Sequence, residues 1–176
     1  LTCTGASADE IGDALTTLRE AKVQNILALR GDPPKGSDRF ERPKDGFGFA
    51  SELVGYVKAR GDFCVGAACY PEGHVEASSK YEDLHNLKKK VDAGVDFLIT
   101  QLFFDNRVYF DFVDRARAAG IHVPIIPGLM PITNVDQVRR FTEMCGASIP
   151  PALLDALEKR RDHPERVHEL GVAHAT

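Results

Sequence analysis

Two spacings of apolar residues alternate along this chain. Between residues 8 and 22, Ile11, Leu15 and Leu18 recur at every third or fourth position, which predicts an amphipathic helix. The run NILALRG, residues 25–31, instead places apolar residues side by side and is typical of a short buried strand. The alternation predicts a strand end at 1–3, strands at 25–31, 63–71, 96–105 and 123–132, a polar loop at 32–48, and helices at 8–22, 49–60, 79–93, 107–119, 134–145, 149–161 and 163–174.

The order of these elements indicates an α/β fold. Each strand is apolar on both faces and is followed by a helix, which is typical of a parallel sheet covered by helices. Two architectures fit, a (β/α)₈ TIM barrel and an open doubly wound sheet; no G-x-G-x-x-G motif follows a strand, which weakens a classical dinucleotide fold. A barrel has eight strands, so residues 1–176 would form a single, partial barrel domain that lacks its first strands and its last strand.

Composition and cysteine usage indicate which partners to exclude and which cellular compartment to expect. The chain has 176 residues, a net charge of −4 and a pI of about 5.9, which argues against a nucleic-acid binder. No apolar stretch approaches the roughly 20 residues that span a bilayer, so we expect no membrane partner. The four cysteines form no C-x-x-C pair, which predicts a reducing, cytoplasmic compartment without structural disulfides. No zinc-type spacing, P-loop or G-x-S-x-G motif is present, so we expect no metal.

Polar residues cluster where the predicted strands end. The carboxyl ends of parallel strands meet at one edge of a sheet or one rim of a barrel, where catalytic groups lie. Each of these residues also has a non-functional alternative. Arg30, Gly31 and Asp32 would only close a strand with a turn, and His74 would be an ordinary loop histidine. Gln101 would bond to a neighbouring loop, and Cys69 would be a packed thiol. The strand-end residues are Arg30, Gly31 and Asp32 after the first full strand, Tyr70, Pro71, Glu72 and His74 after the second, Gln101 late in the third, and Gly128, Met130 and Pro131 at the end of the fourth.

The helix predicted at 79–93 carries a polar stripe. Asp83, Asn86 and Lys90 stand at i, i+3 and i+7 and therefore share one face. This face is either exposed to solvent or forms the wall of a binding site. A ligand with phosphate and hydroxyl groups would fit such a wall, because a lysine offers a positive point charge to a phosphate. The neighbouring Lys88 and Lys89 are interpreted as solvated.

Four segments together resemble one known family. The motifs NILALRGDPP, AACYPEGHVEA, DLHNLKKKVDAGVDFLITQLFFD and PIIPGLMPI, with consistent spacing from LTCT to ELGVAHA, closely resemble methylenetetrahydrofolate reductases. The resemblance implies the central-to-late part of a TIM-barrel catalytic domain with non-covalent FAD. It implies transfer of a hydride from NADH or NADPH to the flavin, and then to methylenetetrahydrofolate, giving methyltetrahydrofolate for methionine synthesis. It also implies a homo-oligomer when the protein is complete.

The same resemblance assigns roles to individual residues. Asp32 would be catalytic, lying beside the flavin and the folate and lowering the flavin potential. The stripe argument favours Lys90 over Lys89 as the phosphate partner. The cofactor-binding residues implied are Arg30, Gly31, Asp32, Ala50, Tyr70, His74, Asp83, Asn86, Lys89 and Lys90. The substrate-binding residues implied are Asp32, Gln101, Gln137 and Phe141.

Some features of the family lie outside this sequence. The glutamate general acid of the first strand is not among residues 1–176, a histidine that contacts flavin would stand before Leu1, and a last-strand segment would follow Thr176. We therefore expect the chain to be inactive alone. A non-catalytic ligand-binding TIM-barrel remnant is the alternative function. A lyase or aldolase of the Schiff-base type is disfavoured because no strand here ends in lysine.

Overall fold

A computed structural model describes residues 1–33, 36 and 39–176 of the chain. Each predicted helix is confirmed, with ends that differ from the prediction by at most three residues. Residues 34, 35, 37 and 38 of the loop predicted at 32–48 lie outside the described residues, and the described remainder contains no helix or strand. The elements are α1 (Ala8–Glu20), β1 (Asn25–Ala28), α2 (Ala50–Lys58), β2 (Cys64–Cys69), α3 (Lys80–Asp92), β3 (Phe97–Thr100), α4 (Asn106–Ala118), β4 (Ile125–Ile126), α5 (Val135–Cys145), α6 (Pro151–Glu158) and α7 (Pro164–Ala175).

Local capping explains why the helix ends were predictable. Ser7 and Glu10 form a capping box at the start of α1, in which each side chain accepts a hydrogen bond from the backbone N–H of the other residue. Asn134 caps α5 by accepting from the backbone N–H of Gln137 at 2.8 Å. Gly146 ends α5 in the left-handed region, with a φ of +72° that favours glycine.

The strands of the described residues form one sheet in the order β1-β2-β3-β4. β1 and β2 pair in parallel, with Asn25 opposite Cys64 and Ala28 opposite Ala67. The strand end predicted at residues 1–3 is present as a parallel bridge between Thr2 and Leu29, just past the end of β1. Parallel pairing brings the carboxyl ends of β1 and β2 to the same edge of the sheet, as the sequence pattern predicted.

Two strands are shorter than predicted. β3 ends at Thr100, although the apolar run continues for several residues, and β4 contains only Ile125 and Ile126. Pro124 and Pro127 flank β4, and proline has no N–H to donate to a neighbouring strand. β1 is also less buried than the predicted buried strand, because two of its four residues are exposed, among them Leu27 at 38%.

Two compact units make up the chain. The first unit comprises Leu1–Ala68, His85–Ile99 and Gly120–Ile125. It holds most of the sheet and the helices α1 and α2. A single domain, as expected from the sequence, stays a prediction. The large side chains that are fully buried in the first unit are Leu15, Leu53, Val54, Val57, Val65, Leu98 and Ile121.

The second unit comprises Cys69–Leu84, Thr100–Ala119 and Ile126–Thr176. Its core is formed by apolar side chains from α5, α6, α7 and the segments before α4 and α5. Met130, Ile149 and Leu170 pack around this core while remaining partly exposed. The buried core residues are Phe104, Ile132, Val135, Val138, Leu153, Leu157 and Val167.

Two further observations concern the expected compartment and partners. The structure has Cys3, Cys64, Cys69 and Cys145 as free thiols, two of them buried. Among the helices of the described residues, none combines the length and the apolar character that crossing a lipid bilayer requires.

Candidate functional site

The turn at Arg30, Gly31 and Asp32 is fixed by the strand end that pairs beside it. The hydroxyl of Thr4 lies 3.2 Å from the carbonyl oxygen of Arg30 and 3.0 Å from that of Asp32, so the two oxygens share its single hydrogen. Gly31 has a φ of +87°, and a Cβ there would lie 2.3 Å from the Thr4 hydroxyl oxygen. Glycine is therefore required at this position both by the backbone conformation and by the closeness of Thr4.

The two charged side chains of this turn have different surroundings, since Arg30 packs on an aromatic ring and Asp32 is exposed. The guanidinium carbon of Arg30 lies 5.0 Å from the ring centroid of Phe40, a distance at which a cation and an aromatic face attract. The side chain of Asp32 is exposed, so its carboxylate is accessible to a ligand. The neighbouring Cys3 is buried, and burial raises the pKa of its thiol to about 11, so Cys3 stays protonated at neutral pH.

Lys90 reaches the carboxyl end of β2. Its ammonium donates to the carbonyl oxygen of Ala68, the residue before the last of this strand, at 2.8 Å. Asn86 and Lys89, on the same helix, are exposed. Of the two lysines that the resemblance assigns to the cofactor, Lys90 is the one placed at a strand end, and its role as the phosphate partner stays a prediction. Ala50 is the first residue of α2 and is half-buried.

In the second unit, the turn after β2 brings two rings together. The centroids of Tyr70 and His74 are 4.7 Å apart, and the rings are perpendicular. The Nδ1 atom of His74 lies 3.1 Å from the backbone nitrogen of Glu76 and accepts its hydrogen, which places the proton of a neutral imidazole on Nε2. The turn is closed by a hydrogen bond from the Gly73 N–H to the Tyr70 carbonyl oxygen at 3.0 Å.

Gln101 follows β3 directly and is half-buried. Its backbone N–H donates to the carbonyl oxygen of Cys69 at 2.7 Å, and its side-chain oxygen accepts from the N–H of Leu102 at 2.9 Å. Next to it, the buried hydroxyl of Thr100 accepts from the N–H of Gly128 at 2.9 Å. A Cβ at Gly128 would lie 2.2 Å from the Thr100 carbonyl oxygen, so the two strand ends can approach only with glycine here.

Gln137 and Phe141 stand at i and i+4 on α5 and share one face of that helix. Gln137 is exposed, and Phe141 is half-buried with the guanidinium carbon of Arg140 5.9 Å from its ring centroid. Asp83, also in the second unit, lies in the first turn of α3 and is half-buried.

Three partners in these sites were not foreseen from the sequence. Thr4 and Thr100 are threonines at strand ends, and their residue type in that position is the one signal that could have identified them. Ser148 donates two hydrogen bonds to Glu72, which precedes it by 76 residues, so no local pattern predicts this pair. In the described part of the chain, no group of three or more His, Cys, Asp and Glu residues is placed to hold a metal ion.

The sequence model of the family described as Methylenetetrahydrofolate reductase matches residues 1–176, which is the whole chain. The chain belongs to the methylenetetrahydrofolate reductase family. The predicted family assignment is therefore confirmed.

Relatives in the family include plant, fungal and bacterial proteins. A rice protein, from Oryza sativa subsp. japonica, named "Probable methylenetetrahydrofolate reductase (NADH)" is 44% identical over 183 residues, which cover 98% of this chain and 31% of the rice protein. The "5,10-methylenetetrahydrofolate reductase" of Escherichia coli (strain K12) is 41% identical, over 94% of this chain and 54% of the bacterial protein. The chain thus spans about a third of the plant relative and about half of the bacterial one.

A solved structure supports the fold class. It is described as an uncharacterized protein from Clostridium thermocellum that binds two copies of 5-methyl-5,6,7,8-tetrahydrofolic acid. It matches with a TM-score of 0.60 and 17% identity over 99% of this chain and 57% of that one, a likeness that concerns the fold alone. The predicted class is confirmed: the chain is α/β with a parallel sheet, and its described residues supply four strands to the eight-stranded barrel of the methylenetetrahydrofolate reductase family.

Proposed function

We propose that the complete protein reduces methylenetetrahydrofolate to methyltetrahydrofolate, with FAD as its cofactor and NADH or NADPH as its electron donor. The observation that carries this proposal is the family match over all of residues 1–176. The names of the relatives support the same substrate. In this role the protein would supply methyl groups for methionine synthesis. A cytoplasmic location and a homo-oligomeric state complete the proposal and rest on the cysteine pattern and the resemblance.

The chemistry of the residues fits a flavin dinucleotide. When bound, FAD would supply the hydride-transfer chemistry that side chains do not provide. In the first unit, Lys90 carries a positive charge to the end of β2, where a phosphate could pair with it, and Asn86 offers an amide to hydroxyl groups. In the second unit, Tyr70 and His74 offer two rings for packing and an Nε2–H for a hydrogen bond, and Asp83 offers a carboxylate to ribose hydroxyls.

Four residues would act on the folate. The exposed carboxylate of Asp32 would stabilise positive charge that develops on the methylene-bearing pterin. The side-chain oxygen of Gln101 is already engaged by the N–H of Leu102, so its NH₂ group is the part that would donate to the pterin. The half-buried ring of Phe141 would pack on the substrate, and Gln137 would bond to its polar part.

The proposal is tested by the visible absorption of the complete protein. We expect the purified protein to bind FAD, and the flavin absorption to bleach when NADH or NADPH is added without oxygen. Addition of methylenetetrahydrofolate should then restore the absorption and yield methyltetrahydrofolate. A complete protein that stays colourless with added FAD would contradict the proposal and favour the non-catalytic ligand-binding barrel.

Lys90 and Lys89 provide a matched pair for the cofactor site. We expect Lys90→Met to weaken FAD binding by about 30-fold, because a charge-assisted hydrogen bond to phosphate contributes about 2 kcal/mol. Lys89→Met, which removes the same charge one residue earlier, should weaken binding by about 3-fold at most because exposed charges are screened. Titration of each variant with FAD, followed by fluorescence quenching, measures both. Equal losses would show that the helix stripe does not select Lys90.

A further inference from the structure

The turn that carries Tyr70 and His74 is tied to the segment after α5 through its middle residue, Glu72. One carboxylate oxygen of Glu72 accepts from the backbone N–H of Ser148 at 2.8 Å, and the other accepts from the Ser148 hydroxyl at 2.6 Å. A carboxylate bound at both oxygens by a single residue has a fixed orientation, and charge-assisted bonds of this kind are stronger than neutral ones. Glu72 therefore links two segments that lie 76 residues apart in sequence.

A close approach of the backbone reinforces this link. Gly146, which ends α5, has no Cβ, and one built there would lie 2.8 Å from a methyl group of Val75. The turn and the end of α5 are thus in contact at a second point, three residues after Glu72. The turn has a further contact with α4. The guanidinium of Arg115 donates to the carbonyl oxygen of Pro71 at 3.2 Å, and its Nε atom donates to the carboxylate of Asp111 at 2.8 Å.

These contacts join two groups of residues to which the proposed function gives different ligands. The turn presents Tyr70 and His74, assigned to the flavin, and α5 presents Gln137 and Phe141, assigned to the substrate. Because α5 is a continuous helix of 11 residues, a shift of its C-terminal end also moves its substrate-facing side. The bonds between Glu72 and Ser148 provide a direct mechanical connection between the two.

We propose that Glu72 is a positioning residue that couples flavin binding at the turn to folate binding at α5, through Ser148. This inference rests on the proposed function and adds to it an assignment for Glu72 and Ser148. Binding of one ligand orders the pair and so prepares the other site. Coupling of this kind is reciprocal, so folate tightens FAD binding by the same factor by which FAD tightens folate binding.

The coupling factor is the quantity to measure. It is the ratio of the FAD dissociation constants of the complete protein without and with saturating methyltetrahydrofolate. We expect a factor of about 10 in the unchanged protein, within the usual range for coupled sites. In Glu72→Gln, whose bonds to Ser148 lose the negative charge that strengthens them, and in Ser148→Ala, which lacks the hydroxyl, the factor should fall below about 2. Ser148→Thr keeps a hydroxyl and should restore it.

Glu143 provides the control. It is an exposed glutamate on α5 for which the described residues show no hydrogen bond or ion pair, so Glu143→Gln removes the same charge without touching the link. Its coupling factor should equal that of the unchanged protein. A purely structural role for Glu72 would lower both affinities and leave the coupling factor near 10 in every variant, and that result would overturn the proposal.

A second measurement tests the link without any ligand. Backbone hydrogen exchange of the ligand-free protein should accelerate in Glu72→Gln at both 70–77 and 145–150, and in Glu143→Gln at neither. Faster exchange in one segment alone would show that the two are not connected, and would overturn the inference even if FAD binds. If the exchange result holds but the unchanged protein fails to bind FAD, the proposed function is wrong, and the assigned coupling falls with it.

Discussion

Replacing Gly171 with alanine should destabilise the protein by about 3 kcal/mol, the upper end of the usual cost of overpacking a core. A Cβ at Gly171 would lie 1.8 Å from the carbonyl oxygen of Ile132, and 2.6 and 2.7 Å from its carbonyl carbon and its nitrogen. All three are backbone atoms, which cannot rotate away as a side chain can. The whole of α7 would have to move outward, and Val167, now 2% exposed, would lose part of its burial.

Gly55 supplies the matched control. It also lies inside a helix, α2, but a Cβ there would meet no heavy atom within 4 Å. Gly55→Ala should therefore stabilise the protein by about 0.5–1 kcal/mol, because alanine loses less backbone entropy in a helix than glycine. Urea denaturation of the two variants measures both effects as shifts of the midpoint at constant slope. Equal stability of the two variants would show that α7 does not pack closely against residue 132.

The helices were predictable because their signals are local. Ser7 and Glu10 identify the start of α1 within four residues, and Gly146 stops α5 by its own backbone preference. The strands were predicted less well because a strand ends where its neighbour stops pairing, and that depends on residues far away in sequence. The apolar run after Thr100 continues, yet β3 ends there because pairing, and not hydrophobicity, defines a strand.

The residues of the candidate site likewise fall into those that a sequence pattern can predict and those that it cannot. Asp32, Lys90 and Gln101 could be predicted as candidates because parallel strands and helix periodicity are regular enough to indicate strand ends and helix faces. The contacts that hold these segments in place were not predicted, since Thr4 bonds to the backbone of Asp32, 28 residues away, and Ser148 bonds to Glu72, 76 residues away. A pattern shows which residues can reach a site, and the tertiary structure decides which residues hold them there.

If the proposed function holds, Asp32→Asn in the complete protein should slow the reduction of methylenetetrahydrofolate by about 100-fold, since loss of one preorganised electrostatic contact in an active site has an effect of this size. The substitution isolates the charge. The Thr4 hydroxyl bonds to the backbone carbonyl oxygen of Asp32, not to its carboxylate, so asparagine keeps the turn. Gly31, with its positive φ, is also unaffected.

Asp32→Asn should affect the two half-reactions differently, namely the oxidation of NADH by the flavin and the reduction of methylenetetrahydrofolate by the reduced flavin. A carboxylate near the flavin lowers its reduction potential, so its removal should raise the potential and leave oxidation of NADH within about 3-fold of its original rate. Asp62→Asn, which neutralises another exposed aspartate of the first unit, should change neither rate. Anaerobic stopped-flow absorbance of each half-reaction, with a redox titration of the bound flavin, measures all three quantities. Equal slowing of both half-reactions at an unchanged potential would assign Asp32 to the architecture of the turn, because a charge that acts on the flavin must shift its potential.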